Sequence, residues 1–320
     1  MSDGQLGRPG RPQRHAPPGE PVVPPAPSTI DLHTHTSRSD GLLEPAALVA
    51  AAAAAGVRLL AITDHDTLAG VRDVLASGAV PPGLELIAGI ELNAITADRA
   101  DLRESEVHVL GLGVDPHDEA LEAALASQRA RRRIRFERMV RRLRDLARPI
   151  DDALEAFPAT GEEDALGRPR VARAMIAKGY VASVEEAFSI YLSRGRPGYV
   201  AREGLGPIEA IRVIRAAGGL AALAHFSEAP ERPDVIRELR DAGLGGLEVY
   251  YRTFDSATVE AVAAVARATS LVATGGSDYH GDLEPYAATH AGLWVPPAVE
   301  APLRAAMSAA ATETSTTTDR

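Results

Sequence analysis

Short apolar runs recur along this chain from Thr29 to Val295, each closed by polar or small residues. They predict strands at Thr29–His35, Arg58–Thr63, Leu84–Leu92, Glu106–Gly111, Leu220–His225, Gly246–Tyr250, Ser270–Thr274 and Ala291–Val295. Between them lie stretches with the apolar spacing of a helix packed on one face. These are Glu44–Ala55, stopped by Gly56; Thr67–Ala76; Pro207–Ala217, stopped by Gly218 and Gly219; Pro233–Ala242; and Ser256–Ala268. Alternating strands and helices predict parallel βαβ units. Seven or eight such units predict an α/β fold closed, or nearly closed, into a barrel. The site of such a barrel lies at the C-terminal ends of its strands.

The alternation breaks between Asp115 and Arg202. Residues Ala120–Ala147 predict one long helix, with Phe136, Met139, Val140, Leu143, Leu146 and Ala147 in its apolar stripe. Ten arginines between Arg129 and Arg148 surround that stripe and read as a solvated face; contact with RNA is the sharper alternative. Further helices are predicted over Gly167–Gly179 and Val184–Leu192. The organisation expected is a disordered Pro-rich segment over 1–27 and a barrel made of 28–114 and 203–309. A helical insertion over 115–202 would fold across the barrel mouth, and 310–320 would be a loose tail.

Composition narrows the chemistry. Only 4% of residues are aromatic, so Ala and Val carry the packing. A net charge of −10 argues against a surface that coats nucleic acid, but leaves room for a small basic pocket. There are no cysteines, which excludes disulfides, thiolate zinc sites and cysteine nucleophiles. The Ala-rich run Ala46–Ala55 is too short to span a membrane, and the N-terminus lacks a signal-peptide core. The expectation is a soluble cytoplasmic enzyme without a membrane or stable protein partner.

Six of the nine histidines (33, 35, 65, 108, 225 and 280) fall at or beside the ends of predicted strands. His33 and His35 are two apart, so on a strand they point to one side, with Ile30 and Leu32 turned towards the helices. Alone, that pair reads equally as core or surface histidines. Asp40, in the turn Ser39-Asp40-Gly41, reads as a turn or capping residue. In Thr63-Asp64-His65-Asp66, His65 is of ligand type, while Asp64 or Asp66 could orient a histidine or cap the next helix. Glu91 is an acid ending an apolar strand and reads as a metal-bridging carboxylate. Asp278 and His280 are again two apart, after two glycines. His15, His117 and His290 are set aside as non-ligands. Imidazoles and carboxylates without thiols suit manganese, zinc or iron.

Asp31-Leu32-His33-Thr34-His35, Thr63-Asp64-His65-Asp66, the Glu91 strand, Leu223-Ala224-His225 and Gly276-Ser277-Asp278-Tyr279-His280 resemble the successive motifs of the polymerase and histidinol phosphatase (PHP) superfamily. The resemblance runs from about Ile30 to Val295. It implies a distorted (β/α)7 barrel and a trinuclear centre of divalent ions, manganese first, zinc or iron as alternatives. By position, His33, His35, Glu91 and Asp278 would hold the first metal. Glu91, bridging, with His108 and His225 would hold the second. Asp40, His65 and His280 would hold the third and stand closest to catalysis.

Gly167-Arg168-Pro169 with Val171-Ala172-Arg173-Ala174, then Gly195-Arg196-Pro197, is similar to a subgroup of small phosphoesterases. That subgroup includes nucleoside 3′,5′-bisphosphate phosphatases and 5′-to-3′ exoribonucleases. The chain departs from it at Arg170, where the subgroup has His, and at Phe226, where it has Pro. The resemblance implies hydrolysis of a phosphomonoester by a metal-bound hydroxide, on a small nucleotide or the 5′ end of a short RNA. Arg168 and Arg170 are the candidate phosphate clamps, with solvated helix-start charges as the alternative. The other functions weighed are a histidinol-phosphate phosphatase and a non-catalytic metal-binding module.

Overall fold

Seven of the eight predicted strands form one sheet in sequence order: β1 (Ile30–Asp31), β2 (Leu59–Ile62), β3 (Glu85–Ile95), β4 (Glu106–Leu112), β5 (Leu220–Leu223), β6 (Gly246–Tyr251) and β7 (Val272–Gly276). The computed structural model describes residues 27–96, 99, 102, 106–155, 166–281 and 283–318. The expected N-terminal disorder lies outside the described residues, Pro27 apart. The sheet curls until its first and last strands meet. Leu32 N–H donates to Gly275 O at 3.1 Å, Asp278 N–H donates to His33 O at 2.8 Å, and Thr34 bridges Tyr279 in parallel. The result is a seven-stranded, nearly closed α/β barrel.

Not all the strands are parallel, as the alternation had suggested. β4 runs antiparallel to both β3 and β5; the other pairs are parallel. No described helix separates β3 from β4, and without a crossover the chain can only return in the opposite direction. The eighth predicted strand does not form. Helix α10 (Tyr286–Ala291) covers its start, and Leu293 and Val295 plug the barrel instead. The predicted loose tail is also ordered over most of its length, as helix α11 (Glu300–Thr318). Arg304 ties that helix to Glu85 at the start of β3, and Thr314 donates to Arg215 O beneath β5. Thus α11 closes the barrel floor.

Two apolar clusters flank the sheet. Outside, Leu60, Ile62, Val109, Leu223 and Leu247 pack on α1 (Pro45–Ala54), α2 (Ala69–Ser77), α7 (Pro207–Ala216), α8 (Pro233–Asp241) and α9 (Ser256–Ala268). Inside, Leu59, Ala61, Leu110 and Ala222 pack on Leu293, Val299 and Leu303. Ile30 and Leu32 belong to this inner cluster and do not face the helices. β1 ends at Asp31, so strict alternation does not extend to the histidines beyond it.

Between β4 and α7 the chain forms α3 (Glu119–Asp145), α4 (Asp151–Glu155), α5 (Arg168–Ala177) and α6 (Val184–Ala187), the last running into a π-helical turn at Phe188–Leu192. These pieces share a core of their own that includes Phe136, Met139, Leu143, Val171, Met175 and Leu192.

The barrel seam depends on Gly276. A Cβ there would lie 2.5 Å from His33 N and closer still to His33 Cβ. Gly276→Ala is therefore expected to destabilise the protein by about 1–3 kcal/mol through overpacking. A urea midpoint unchanged from wild type would contradict this account of the seam.

Candidate metal centre

All nine residues proposed as ligands converge on the barrel rim. The reversal of β4 explains one of them: His108 lies near the start of that strand, opposite Asn93 towards the end of β3. An antiparallel strand begins where its parallel neighbours finish, so His108 reaches the same rim. Glu91 lies within its strand and not at the end that the sequence predicts, because β3 continues to Ile95. It sits in the wall with no solvent exposure.

Glu91 is the hub. Its Oε1 lies 2.8 Å from His108 Nδ1, 3.3 Å from His33 Nε2 and 3.4 Å from His225 Nε2. Its Oε2 lies 2.9 Å from His65 Nδ1 and 3.2 Å from His35 Nε2. Asp278 Oδ1 approaches His35 Nε2 at 3.1 Å and His33 Nε2 at 3.3 Å. Asp40 Oδ1 lies 3.2 Å from His280 Nε2, and its Oδ2 lies 3.7 Å from His65 Nε2. Asp40 is therefore a member of the cluster, and the N-cap of α1 is Glu44.

Three groups hold ligand atoms within 4.8 Å of one another: His33, His35, Glu91 and Asp278; His35, Asp40, His65 and His280; and His65, Glu91 and His108. The first is the set expected from the sequence. His35 joins the expected Asp40, His65 and His280. His225 stands beside the third group, its Nε2 3.1 Å from His108 Nδ1.

Divalent ions fit this arrangement. Both ring nitrogens of His35, with His33 Nε2, His65 Nδ1, Asp40 Oδ1 and Glu91 Oε2, are buried without a hydrogen-bond partner. Such atoms cost free energy unless something coordinates them. The backbone is also held in unusual conformations here, with positive φ at Asp66 (51°), His225 (33°) and Asp278 (51°).

Electrostatics separate the histidines. Burial alone would deprotonate His33, His35, His225 and His280, but neighbouring carboxylates outweigh it. His33, beside Glu91, Glu248 and Asp278, is raised well above the ordinary imidazole value. His35 and His225 are raised too. His280, facing Asp40 and Asp278, rises to about 10. At His65 burial wins and the pKa falls to about 4. Asp40, Glu91 and Asp278, although buried, are held well below the carboxylate range by these imidazoles.

A supporting layer went largely unread in the sequence. Glu248 accepts the His225 N–H at 2.7 Å and lies 3.1 Å from His33 Nδ1. Its signal is an acid inside the apolar run Gly246–Tyr250, whereas Glu91 reads as an acid closing one. Asp64 caps no helix; it accepts from Thr36 N–H, Thr36 Oγ1 and Ser39 Oγ, clasping the loop that presents Asp40. Asp66 pairs with Arg132, which also donates to Asn93 Oδ1, and Asn93 Nδ2 lies 2.6 Å from His108 Nε2. Tyr251 donates to Asp278 Oδ2 at 2.9 Å. His290 joins the Asp31 carboxylate and Ser28 O away from the cluster, as its exclusion required.

The solvated-face reading of the arginine run holds for Arg131, Arg133, Arg138, Arg141, Arg142 and Arg144, which are exposed, and fails for Arg129, Arg132 and Arg135. Those three lie at three-residue intervals, on the helical face that carries Leu125 and Met139.

Above the cluster is a cavity of about 190 Å³, walled on its far side by Arg132, Arg168, Phe188 and Arg202. Arg168 pairs with Glu106 at 2.5 Å, and its guanidinium lies over the Phe188 ring at 5.2 Å. Arg170 is half-buried on the same helix and is not among the residues lining the cavity. Arg202 Nε lies 3.3 Å from Glu106 Oε2, yet its Nε and Nη1 are buried without a hydrogen bond. Burial first, and then the neighbouring arginines, bring Arg202 down to about 10 and Arg135 to about 9.

Residues 31–158 match the PHP domain family model. The chain is 32% identical to the 3′,5′-nucleoside bisphosphate phosphatase of Chromobacterium violaceum, over 79% of its own length and 87% of the relative's. It is 33% identical to the 5′-3′ exoribonuclease Rnm of Escherichia coli, over 84% of its own length and 91% of the relative's. A crystal structure described as a metal-dependent phosphoesterase of Bifidobacterium adolescentis superposes with a TM-score of 0.71 at 32% identity, covering 82% of this chain and 91% of that one.

Two outcomes are expected. Because the metal-free site keeps His33 and His280 protonated at pH 7, ion binding must displace protons. Affinity should therefore rise with pH towards about 10, the His280 value. Calorimetric enthalpies that do not vary with the ionisation heat of the buffer would overturn this. Glu248→Ala should weaken metal affinity by roughly 10–100-fold, the usual cost of removing a partner behind a ligand, as read by competition with a chromogenic chelator.

Proposed function

The chain belongs to the PHP family of metal-dependent phosphoric ester hydrolases, and from that premise we propose that it removes a phosphate from small bisphosphorylated nucleotides or from the 5′ end of short RNA. We assign the ligand roles to His33, His35, Asp40, His65, Glu91, His108, His225, Asp278 and His280, serving three ions, manganese first. Residues 115–202 act as the substrate-covering insertion of a barrel made from 28–114 and 203–309. One observation carries the reading: a cluster of orphaned buried ligand atoms forms the base of a cavity that Arg132, Arg168 and Arg202 also line.

Ions bound at that base would screen the charge of the phosphoester and acidify a coordinated water. The chain's own residues bind and orient. Arg168 and Arg202 offer forked donors matched to phosphate oxygens. Glu106 holds both in place through its two oxygens. Arg135, which donates to Val200 O, adds charge behind them. Arg170, displaced from the cavity wall, takes the lesser role on the same helix. Three arginines against one glutamate favour a substrate with two phosphates over a singly phosphorylated amino alcohol such as histidinol phosphate. Asp40, His65 and His280 line the cavity beside the reacting phosphate. Tyr251, whose proton is held firmly by burial and by Asp278, orients that carboxylate.

Manganese-loaded protein should release phosphate from adenosine 3′,5′-bisphosphate and lose that activity with a chelator. Arg202→Ala should lower kcat/KM for the bisphosphate by roughly tenfold or more, the worth of a charge-assisted contact. Metal-loaded protein inert to bisphosphates and short oligonucleotides would sink the reading, and a preference for histidinol phosphate would replace it.

A further inference from the structure

A second cavity opens on the other flank of the candidate centre. It measures about 460 Å³ and shares Pro169, Phe188, Asp278 and His280 with the first. The two adjoin as neighbouring lobes, with Phe188 on the lining of both. They differ in chemistry. The first carries Arg132, Arg168 and Arg202. The second is walled by Pro169, Val184, Phe188, Tyr279 and Leu283, with Arg252 at its edge.

Three features of the second lobe point to an occupant. Leu283, on the lining and 88% exposed, adds an accessible apolar side chain to the wall. Phe188 is presented from a π-helical turn, a backbone form that costs stability and gathers at functional sites. Arg252 donates its Nε to Ser277 O at 3.0 Å, which fixes the plane of the guanidinium while it lines the cavity. A flat, weakly polar ring with hydrogen-bonding edges suits such a wall: it stacks on the aromatic side chain and meets the guanidinium at its rim. Two exposed acids, Glu185 and Glu284, also border the lobe, so it does not invite a further phosphate.

We propose that this lobe is the subsite for the leaving nucleoside, with Phe188 as the stacking platform for its base. The inference rests on the reading of the centre as a nucleotide phosphoesterase. It adds that the apolar group beyond the reacting phosphate lies on the Phe188–Leu283 side, and that a second phosphate lies on the arginine side.

The test separates binding from turnover. Adenosine, which carries no phosphate, is titrated calorimetrically into the full-length, metal-loaded protein. Wild type should bind it, Phe188→Ala should weaken binding by roughly tenfold or more, and Phe188→Trp should restore it. The ratio of kcat/KM for adenosine 3′,5′-bisphosphate over its abasic counterpart, 1,2-dideoxyribose 3,5-bisphosphate, should collapse in the Phe188→Ala variant. Adenosine that fails to bind, or that binds wild type and Phe188→Ala alike, overturns the subsite even if the bisphosphate is hydrolysed. Adenosine binding that depends on Phe188, in a protein that hydrolyses no phosphoester, keeps the subsite and removes the reaction.

Discussion

The structure turns on one electrostatic constraint. Glu91, Asp40 and Asp278 are packed with six imidazoles on one barrel rim, with Glu91, His33 and His35 closed off from water at its heart. Burial opposes charge on every member, so the cluster exists only because opposite charges face each other at close range. What surrounds it fixes those positions. Glu248 pins His33 and the backbone of His225. Asp64 clasps the loop of Asp40. Asp31 accepts from Ser277 N–H, Ser277 Oγ and Tyr286 OH, so the loop carrying Asp278 cannot drift from β1. Barrel closure and site geometry are therefore one problem, solved at the β1–β7 seam.

Residues meant for the rim were legible because their chemistry is conspicuous. A histidine or acid closing an apolar run has few structural uses, and the six histidines so placed all reach the centre. Strand alternation was legible for the same reason. What escaped was direction and partnership. Nothing in the apolar run Val107–Leu112 distinguishes a parallel strand from an antiparallel one, since both of its faces are buried either way. The Thr and Ser residues of the tail suggest a loose segment, whereas the tail continues α11, and its Thr314 docks on Arg215 O at the floor. Arg132 and Arg135 were read as solvated because arginine usually is. Their partners, Asp66 and the Val200 carbonyl, are distant in sequence, so no local pattern announces them.

The insertion shows how a shared chemical base acquires a particular clientele. The candidate ligands belong to the barrel. The groups that differentiate one lobe from the other (Arg168, Phe188 and Arg202) come from the chain between β4 and α7. Substrate choice can therefore drift with that segment while the rim stays fixed. The departures at Arg170 and Phe226 fit this division. Arg170 lies off the cavity wall, and Phe226 is a buried core residue beside His225. Neither disturbs the ligand set.

The long helix α3 carries a consequence of its own. β4 descends, so α3 starts at the barrel floor, where Asp115 N–H donates to Ala217 O. Its Leu121 and Leu125 pack on the barrel, its Gln128–Arg135 stretch passes the cavity, and its Phe136–Leu143 end seeds the core of the insertion. One unbroken rod of 27 residues, roughly 40 Å long, thus spans from floor to roof. It works as a ruler rather than a hinge: the height of the roof and the aim of its arginines are counted in residues. One residue gained or lost below Arg129 would turn that face by roughly 100°, setting Gln128 or Ala130 in the place of Arg129 and Ile134 or Phe136 in the place of Arg135. Length drift, ordinarily cheap in a covering segment, is forbidden along this stretch, and novelty is channelled into the loops beyond it.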